Sequence, residues 1–230
     1  KMNGKIQLFE SVPRRTPFAP EWRYFIAESD IQNVDFNEIA RIVLSKEKDI
    51  IQKYPSGRIS VDAYTGLGEE SLTSKWQHFN VFKWQEPEIL KLKEEVHKQY
   101  VALLEALRVP RSKVYVQCWA NVLRKGQEIK QHLHAFHPWT YLSGHITVQC
   151  EDTCTAYVNP VNQLVSNDAE VYYQKNAPGH LTFFPSYVPH FTTIHNGEKE
   201  RISIAMDIIV NNTKKDGTID YNTVPFDHPR

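Results

Sequence analysis

The sequence predicts a mainly β protein with flanking helices, an α+β jelly roll whose N-terminal helices pack on one sheet. Three observations predict it. Two segments with helical apolar spacing lie in the first half. From Lys113 onward the apolar period changes to two, and the strand-like runs that follow are separated by turn signals at short intervals. There is no internal repeat, and the thirteen prolines are scattered as punctuation, not gathered into a linker. The 230 residues therefore read as one domain, 1–230. Residues 1–112 form a support of helices and short strands, 113–210 the jelly-roll core and 211–230 a C-terminal tail. An apolar share of 41% is enough to bury one sizeable core.

In chain order, short strands are expected at Ile6 to Phe9 and Trp22 to Ile26. A helix follows, with Asp35 as its cap and Glu38 three residues on; Phe36, Ile39, Val43 and Ile50 would be its buried stripe. Residues 56–82 are rich in Gly and Ser and end in Trp76, Phe79 and Phe82. They read equally as a loop covering a substrate or as a surface connection pinned by aromatics. A second helix starts near Pro87, whose fixed φ suits a first turn, and runs to about Leu107. Ile89, Leu92, Val96, Tyr100, Leu103 and Leu107 recur along one of its faces. Strand-like runs come next at Val114 to Leu123, Ser143 to Cys150, Thr155 to Val158, Leu181 to Phe184 and Arg201 to Val210. Lys125-Gly126, Asn159-Pro160, Pro178-Gly179 and Asn196-Gly197 mark the turns, spaced as in a barrel or sandwich.

Charge and composition remove some functions. Lys plus Arg equals Asp plus Glu, 27 each, so no net field gathers nucleic acid or an anionic membrane. No apolar run reaches the ~18 residues of a membrane span, and the opening KMNGKIQLF lacks the apolar segment of a secretory signal. A cytoplasmic protein is expected, its oligomeric state left open with a homo-oligomer allowed. Cys118, Cys150 and Cys154 are an odd number in a chain that needs no staples, so reduced thiols are expected.

Seven of the ten histidines lie between residues 132 and 195. On a strand, side chains at i and i+2 share a face, so His132 and His134 would project together into a barrel mouth. His190 follows the turn-like Phe184-Pro-Ser-Tyr-Val-Pro189 at the start of another strand. The three could hold one side of a metal and leave positions open for chemistry; each taken singly could equally be a structural histidine. His137, His180 and His195 read as supporting groups, and His145 shares a strand face with Ser143 and Thr147. In Arg201-Ile-Ser203 the period of two turns a guanidinium and a hydroxyl inward while Ile202 and Ile204 point away. Burying an unpaired guanidinium is expensive. Either an incoming carboxylate pairs with it bidentately, or one of the protein's own acids does.

The order of these motifs resembles the Fe(II)/2-oxoglutarate-dependent oxygenases, in particular small bacterial and phage proteins similar in core to prolyl hydroxylases. The matching residues are Trp119-x-Asn121, the Gly126 turn, His132-x-His134, Ser143-Gly144, Phe184-Pro-Ser186, His190 and Arg201-x-Ser203, spanning about 113–210. The resemblance implies a double-stranded β-helix with two helices on its outer sheet, and Fe(II) held by His132, His134 and His190. The co-substrate 2-oxoglutarate would pair its far carboxylate with Arg201, helped by Ser203 and Asn121. Thr147 stands where related enzymes carry a tyrosine that touches the co-substrate, so that contact would be weaker here or moved to Tyr141. Tyr115, Gln117, Trp119 and His145 would line the substrate pocket. The family's second ligand is usually a carboxylate, so His134 is a departure, for which Glu128 or Asp207 is the alternative ligand. The implied reaction is hydroxylation of an amino-acid, peptidyl (in particular prolyl) or other small substrate with release of succinate and CO2. The other readings are a three-histidine cupin that does not use 2-oxoglutarate and a non-catalytic jelly-roll binding module.

Overall fold

The computed structural model describes residues 2–56, 60–161, 171–210 and 222–230. Residues 57–59 of the expected connection and 211–221 of the expected tail lie outside them. Strands β1 (Gly4–Glu10) and β2 (Arg23–Asp30) come first, then α1 (Phe36–Lys53) and α2 (Pro87–Leu107). The β half contains β3 (Val114–Leu123), β4 (Leu142–Gln149), β5 (Cys154–Val158), β6 (Val171–Lys175), β7 (His180–Pro185), β8 (His190–Thr192), β9 (Arg201–Ile209) and β10 (Val224–Asp227).

These strands make two sheets. The larger has the order β1-β2-β7-β4-β9-β3-β10 and the smaller β6-β5-β8. The five core strands expected from the period of two are all present, within a residue or so at each end. Two parts of the chain extend the large sheet beyond the expected core: β1 and β2 add to one side, and β10, inside the stretch read as a tail, pairs with β3 at the other edge.

Strand β9 shows how sequence alternation positions the site. Ile202, Ile204, Met206 and Ile208 face the helices and are at most 1% exposed, in one cluster with Ile39 and Val43 of α1 and Ile89, Leu92 and Val96 of α2. Each such side chain stabilises the fold by roughly 1.5–3 kcal/mol through burial. The alternate residues Arg201, Ser203, Ala205 and Asp207 face the other way, between the sheets. Register carries this inner face across three strands: Thr147–Ser203–Asn121 form one row, His145–Ala205–Trp119 the next and Ser143–Asp207–Gln117 the third.

Helix α1 begins at the expected cap, where Asp35 Oδ1 accepts from the Glu38 backbone N–H at 3.1 Å. The reciprocal half of the capping box comes from elsewhere. Glu38 is engaged with Arg41, and the Asp35 N–H donates instead to Glu88 Oε2 of α2 at 2.9 Å. The two helices are thus joined at one end as they cover the sheet.

Candidate active site

His132 and His134 lie on the β3–β4 connection, not on a regular strand as expected. Residues 124–141 are broken by the Lys125-Gly126 turn, with Gly126 at φ 87°, and by Pro138, so no ladder can run through them. What holds the pair is one bridge to the opposite sheet. His132 N–H donates to His190 O at 3.0 Å and His190 N–H to His132 O at 2.9 Å, while His134 N–H donates to Ser186 O at 3.0 Å. The locally extended backbone keeps both rings on one side.

The bridge brings the third histidine to them. One ring nitrogen from each of His132, His134 and His190 lies within 4.8 Å of the others. Their remaining nitrogens are all committed to acceptors: His132 Nδ1 to Lys130 O at 2.7 Å, His190 Nδ1 to Val188 O at 3.0 Å and His134 Nδ1 to Asp207 Oδ1 at 2.5 Å. An oxygen acceptor at Nδ1 places a proton there, which turns each Nε2 toward the common centre as the ring atom available to a metal. Burial, then the neighbouring histidine, pushes the His132 pKa down to about 4, and the same causes hold His190 well below the usual range. Three histidines with ring nitrogens converging in this way fit a divalent cation.

Of the two acids considered as substitute ligands, Glu128 is exposed. Asp207 lies behind His134, where it also accepts from Ser143 Oγ at 2.7 Å. It therefore orients the imidazole from the far side. Phe184 packs on both His134 and His190 with ring centroids at 5.7 and 4.7 Å.

A cavity of about 200 Å³ opens beside the cluster. Its inner wall includes Arg201, Ser203, Asn121, Trp119 and His145, bringing five of the expected residues together. Arg201 is 2% exposed; its Nε donates to Thr153 Oγ1 at 2.9 Å, but Nη1 is buried without a partner. No carboxylate pairs with it among the described residues, and burial pulls its pKa down. Of the two explanations for an inward Arg201, a pairing with the protein's own acid is absent among the described residues.

Four expected pocket residues do not line the cavity. Tyr141 turns toward the helices, its hydroxyl paired with that of Tyr100 at 2.9 Å. Thr147 is 1% exposed in the row with Ser203. The Gln117 amide is used up by Trp76 O at 2.6 Å and the Asn222 N–H at 2.6 Å, and Tyr115 meets His228 edge to face. Alternation assigned Tyr115, Gln117 and Thr147 to a face, but what lies over a face is decided by segments distant in sequence.

One such segment is the outer wall. Ser60, Ala63, Tyr64, Thr65, Thr73, Trp76 and Gln77, all from the 56–82 stretch, line the cavity on this side. The segment is fastened down: Thr73 Oγ1 donates to Asn121 Oδ1 at 2.6 Å, and the Lys130 N–H to Thr65 O at 2.8 Å. Sequence reasoning did not name Thr155, Phe191 and Thr192 on the small sheet, nor Tyr64 and Leu133 at the mouth.

Comparison with known proteins agrees with this geometry. No curated protein sequence matches the chain. Residues 117–207 match the family described as "Putative 2OG-Fe(II) oxygenase". Among solved structures, AviO1 from Streptomyces viridochromogenes Tue57 is similar with a TM-score of 0.54 and 13% identity, over 84% of this chain and 90% of that one. The viral collagen prolyl hydroxylase of Paramecium Bursaria Chlorella virus-1, solved with 2OG, has a TM-score of 0.52 at 10% identity, over 81% and 96%. The non-heme alpha ketoglutarate dependent epimerase SnoN from nogalamycin biosynthesis has a TM-score of 0.51 at 14% identity, over 81% and 78%. At such identities the structural likeness is one of fold, while the family match spans the segments that carry the three histidines and Arg201. Residues 117–207 are thus similar to the family of putative 2OG-Fe(II) oxygenases, on a fold shared with the solved structures above.

Proposed function

We propose that this chain hydroxylates an amino-acid or peptidyl substrate, holding Fe(II) with His132, His134 and His190 and the far carboxylate of 2-oxoglutarate with Arg201. The observation that carries the proposal is the orphaned Nη1 of a fully buried guanidinium in the same cavity as the histidine cluster. Such a group costs several kcal/mol unless a ligand pairs with it. A dicarboxylate bridging from the metal to Arg201 supplies that partner, and a cupin reaction without a keto acid does not.

When bound together, iron and 2-oxoglutarate supply the oxidising power for C–H hydroxylation, releasing succinate and CO2. The chain's own part is to bind and position. Asp207 fixes the His134 ring and places a negative charge one imidazole behind the cluster, where the family usually has a carboxylate ligand. Ser203 Oγ, already accepting from Asn121 Nδ2 at 3.3 Å, still has its own proton to donate beside Arg201. Trp119 and Trp76, tilted at 5.5 Å, and Phe184 exclude water from the cavity.

The substrate class follows from the walls. Apart from Arg201, Asp207 and the histidines, the lining described is aromatic, aliphatic or neutral polar, so the group that enters is uncharged. Phe136 and Trp139, 77% and 79% exposed on the connection carrying the His pair, offer apolar surface beyond the cavity for a substrate longer than one residue. Succinate release should be screened against amino acids and short peptides. Fe(II)-dependent succinate formation, lost in Arg201→Leu and stimulated by a neutral peptide, is expected; succinate formation equal in Arg201→Leu contradicts the assignment.

A further inference from the structure

The wall behind the cavity contains a polar network that the site described so far does not use. Tyr157 on β5 is fully buried and reaches across from the small sheet, its hydroxyl bonded to His145 Nε2 on β4. The two rings stack with centroids 5.9 Å apart. Behind Tyr157 the network continues to the buried carboxylate of Glu28 on β2. Gln174 Nε2 donates to Glu28 Oε1 at 2.8 Å and contacts Thr182 Oγ1 at 2.7 Å. Tyr172 OH donates to Glu28 Oε2 at 2.6 Å, and His180 Nε2 lies 3.2 Å from Oε1. Lys5 approaches the same carboxylate from the surface at 3.4 Å.

The protons in this network have a direction. Glu28 only accepts; burial works to raise its pKa, but the bonds from His180, Tyr172 and Gln174 win and hold it at about 2. Gln174 therefore turns its amide NH2 toward Glu28, and its second hydrogen serves Thr182. The single Thr182 proton must then go onward. Its acceptor is Gln174 Oε1 at 3.0 Å. Tyr157 also has a single proton. Gln174 Oε1 is 3.4 Å away, at the limit of bonding, so the good acceptor is His145 Nε2. A proton accepted at Nε2 leaves the neutral imidazole with its own proton on Nδ1. Burial, then the nearby Arg201, keeps His145 neutral by lowering its pKa to about 3.

We propose that Tyr157 is a positioning residue that fixes the Nδ1–H tautomer of His145, so that His145 presents an N–H donor to the cavity beside Arg201. The group it donates to is the co-substrate carboxylate that Arg201 pairs with. This reassigns His145 from the substrate pocket to the co-substrate end, and it rests on the 2-oxoglutarate reading above. A neutral imidazole with Nε2–H would instead turn a lone pair toward that carboxylate and repel it. The anchoring charge is Glu28, on a strand outside the family-matched residues.

The test combines two readouts on the full chain. Nitrogen-15 NMR of the histidine side chains in the zinc-loaded protein reads the tautomer. His145 is expected as Nδ1–H, and Tyr157→Phe, which keeps the ring, should move it to Nε2–H or a mixture. Calorimetric titration of 2-oxoglutarate into the same samples reads the donor. Tyr157→Phe and His145→Leu should each weaken binding about tenfold, the worth of one hydrogen bond to a charged group. His145→Asn, whose amide nitrogen sits near the position of Nδ1, should recover most of it. Zinc content should not change in any variant. An Nε2–H tautomer in the wild type, or a tautomer unmoved in Tyr157→Phe, overturns the positioning role. Unchanged affinity in His145→Leu overturns the donor role while leaving Arg201 in place. If neither the wild type nor Arg201→Leu binds 2-oxoglutarate, the oxygenase reading falls and the donor role falls with it. The tautomer data then still decide the role of Tyr157.

Discussion

Asp207 and His134 show how one departure from a sequence pattern is compensated by a neighbour. Where the oxygenases that the sequence resembles usually supply a carboxylate ligand, this chain has an imidazole, and 2.5 Å behind its Nδ1 stands a carboxylate. Together they have the charge of the usual ligand, moved outward by one ring. His134→Asp alone should therefore fail to restore the common triad, because the new carboxylate would face Asp207 across a short gap. The double change His134→Asp with Asp207→Asn should bind iron more tightly than the single one, as read by elemental analysis after dialysis. Equal metal content in the two would remove the reason given for the compensation. His132→Ala and His190→Ala should each lose iron, whereas His137→Ala, whose Nδ1 accepts from Trp139 N–H on the surface at 3.1 Å, should retain it.

The elements hold these residues through a few cross-connections. Strand β10 is one of them. Asp227 near its end is 1% exposed and takes a bidentate pair from Arg111, at 3.0 and 2.6 Å, and a contact from His97 of α2 at 3.1 Å. It thereby ties the helix layer to the edge of the large sheet. Asp227→Ala should lower stability by about 1–3 kcal/mol, a range reduced because Arg111 is partly exposed. Iron content should stay unchanged, with urea unfolding as the measure; an unaltered midpoint would show that the edge is held by Phe226 and its aromatic neighbours alone. This strand was not legible in the sequence. Four residues containing Pro225 present no alternation that stands out from a tail, and their place is decided by partners over a hundred residues away. By contrast, β3, β4 and β9 were legible because each is long and buries one face under helices, which enforces a clean period of two. The same long strands placed Gln117, Tyr115 and Thr147 on a face without showing what covers them. Facing residues can be read from alternation, but the loops that cover them cannot. His132, His134, His190 and Arg201 could be read because the chemistry of each is concentrated within two or three residues of sequence.

For the whole molecule, the cost of keeping buried histidines neutral appears as a dependence on acid. His132 and His145 have folded pKa values lowered from 6.5 to about 4 and about 3, with burial as the largest cause. Between those values and 6.5 the unfolded chain binds protons that the folded chain does not, so stability falls as pH falls. Each group contributes a slope of up to about 1.4 kcal/mol per pH unit. Glu28 adds a second region, from 4.5 down to about 2, where its protonation on unfolding removes further stability. The metal-free protein should therefore melt at a lower temperature at pH 5.5 than at pH 7.5. A melting temperature equal or higher at pH 5.5 would contradict the buried neutral cluster. Among the described residues no helix is long and apolar enough to cross a membrane.

The joint binding of metal and keto acid at one centre is tested most directly by visible absorption under anaerobic conditions. Wild-type protein with Fe(II) and 2-oxoglutarate together should show a weak charge-transfer band that neither gives alone. His190→Ala should abolish the band. In Arg201→Leu it should appear only at much higher 2-oxoglutarate, in keeping with a loss of roughly 2–5 kcal/mol for truncating one partner of a buried charge pair. A protein that binds Fe(II) stoichiometrically yet shows no band, or a band whose 2-oxoglutarate dependence is the same in Arg201→Leu, would contradict the site as drawn.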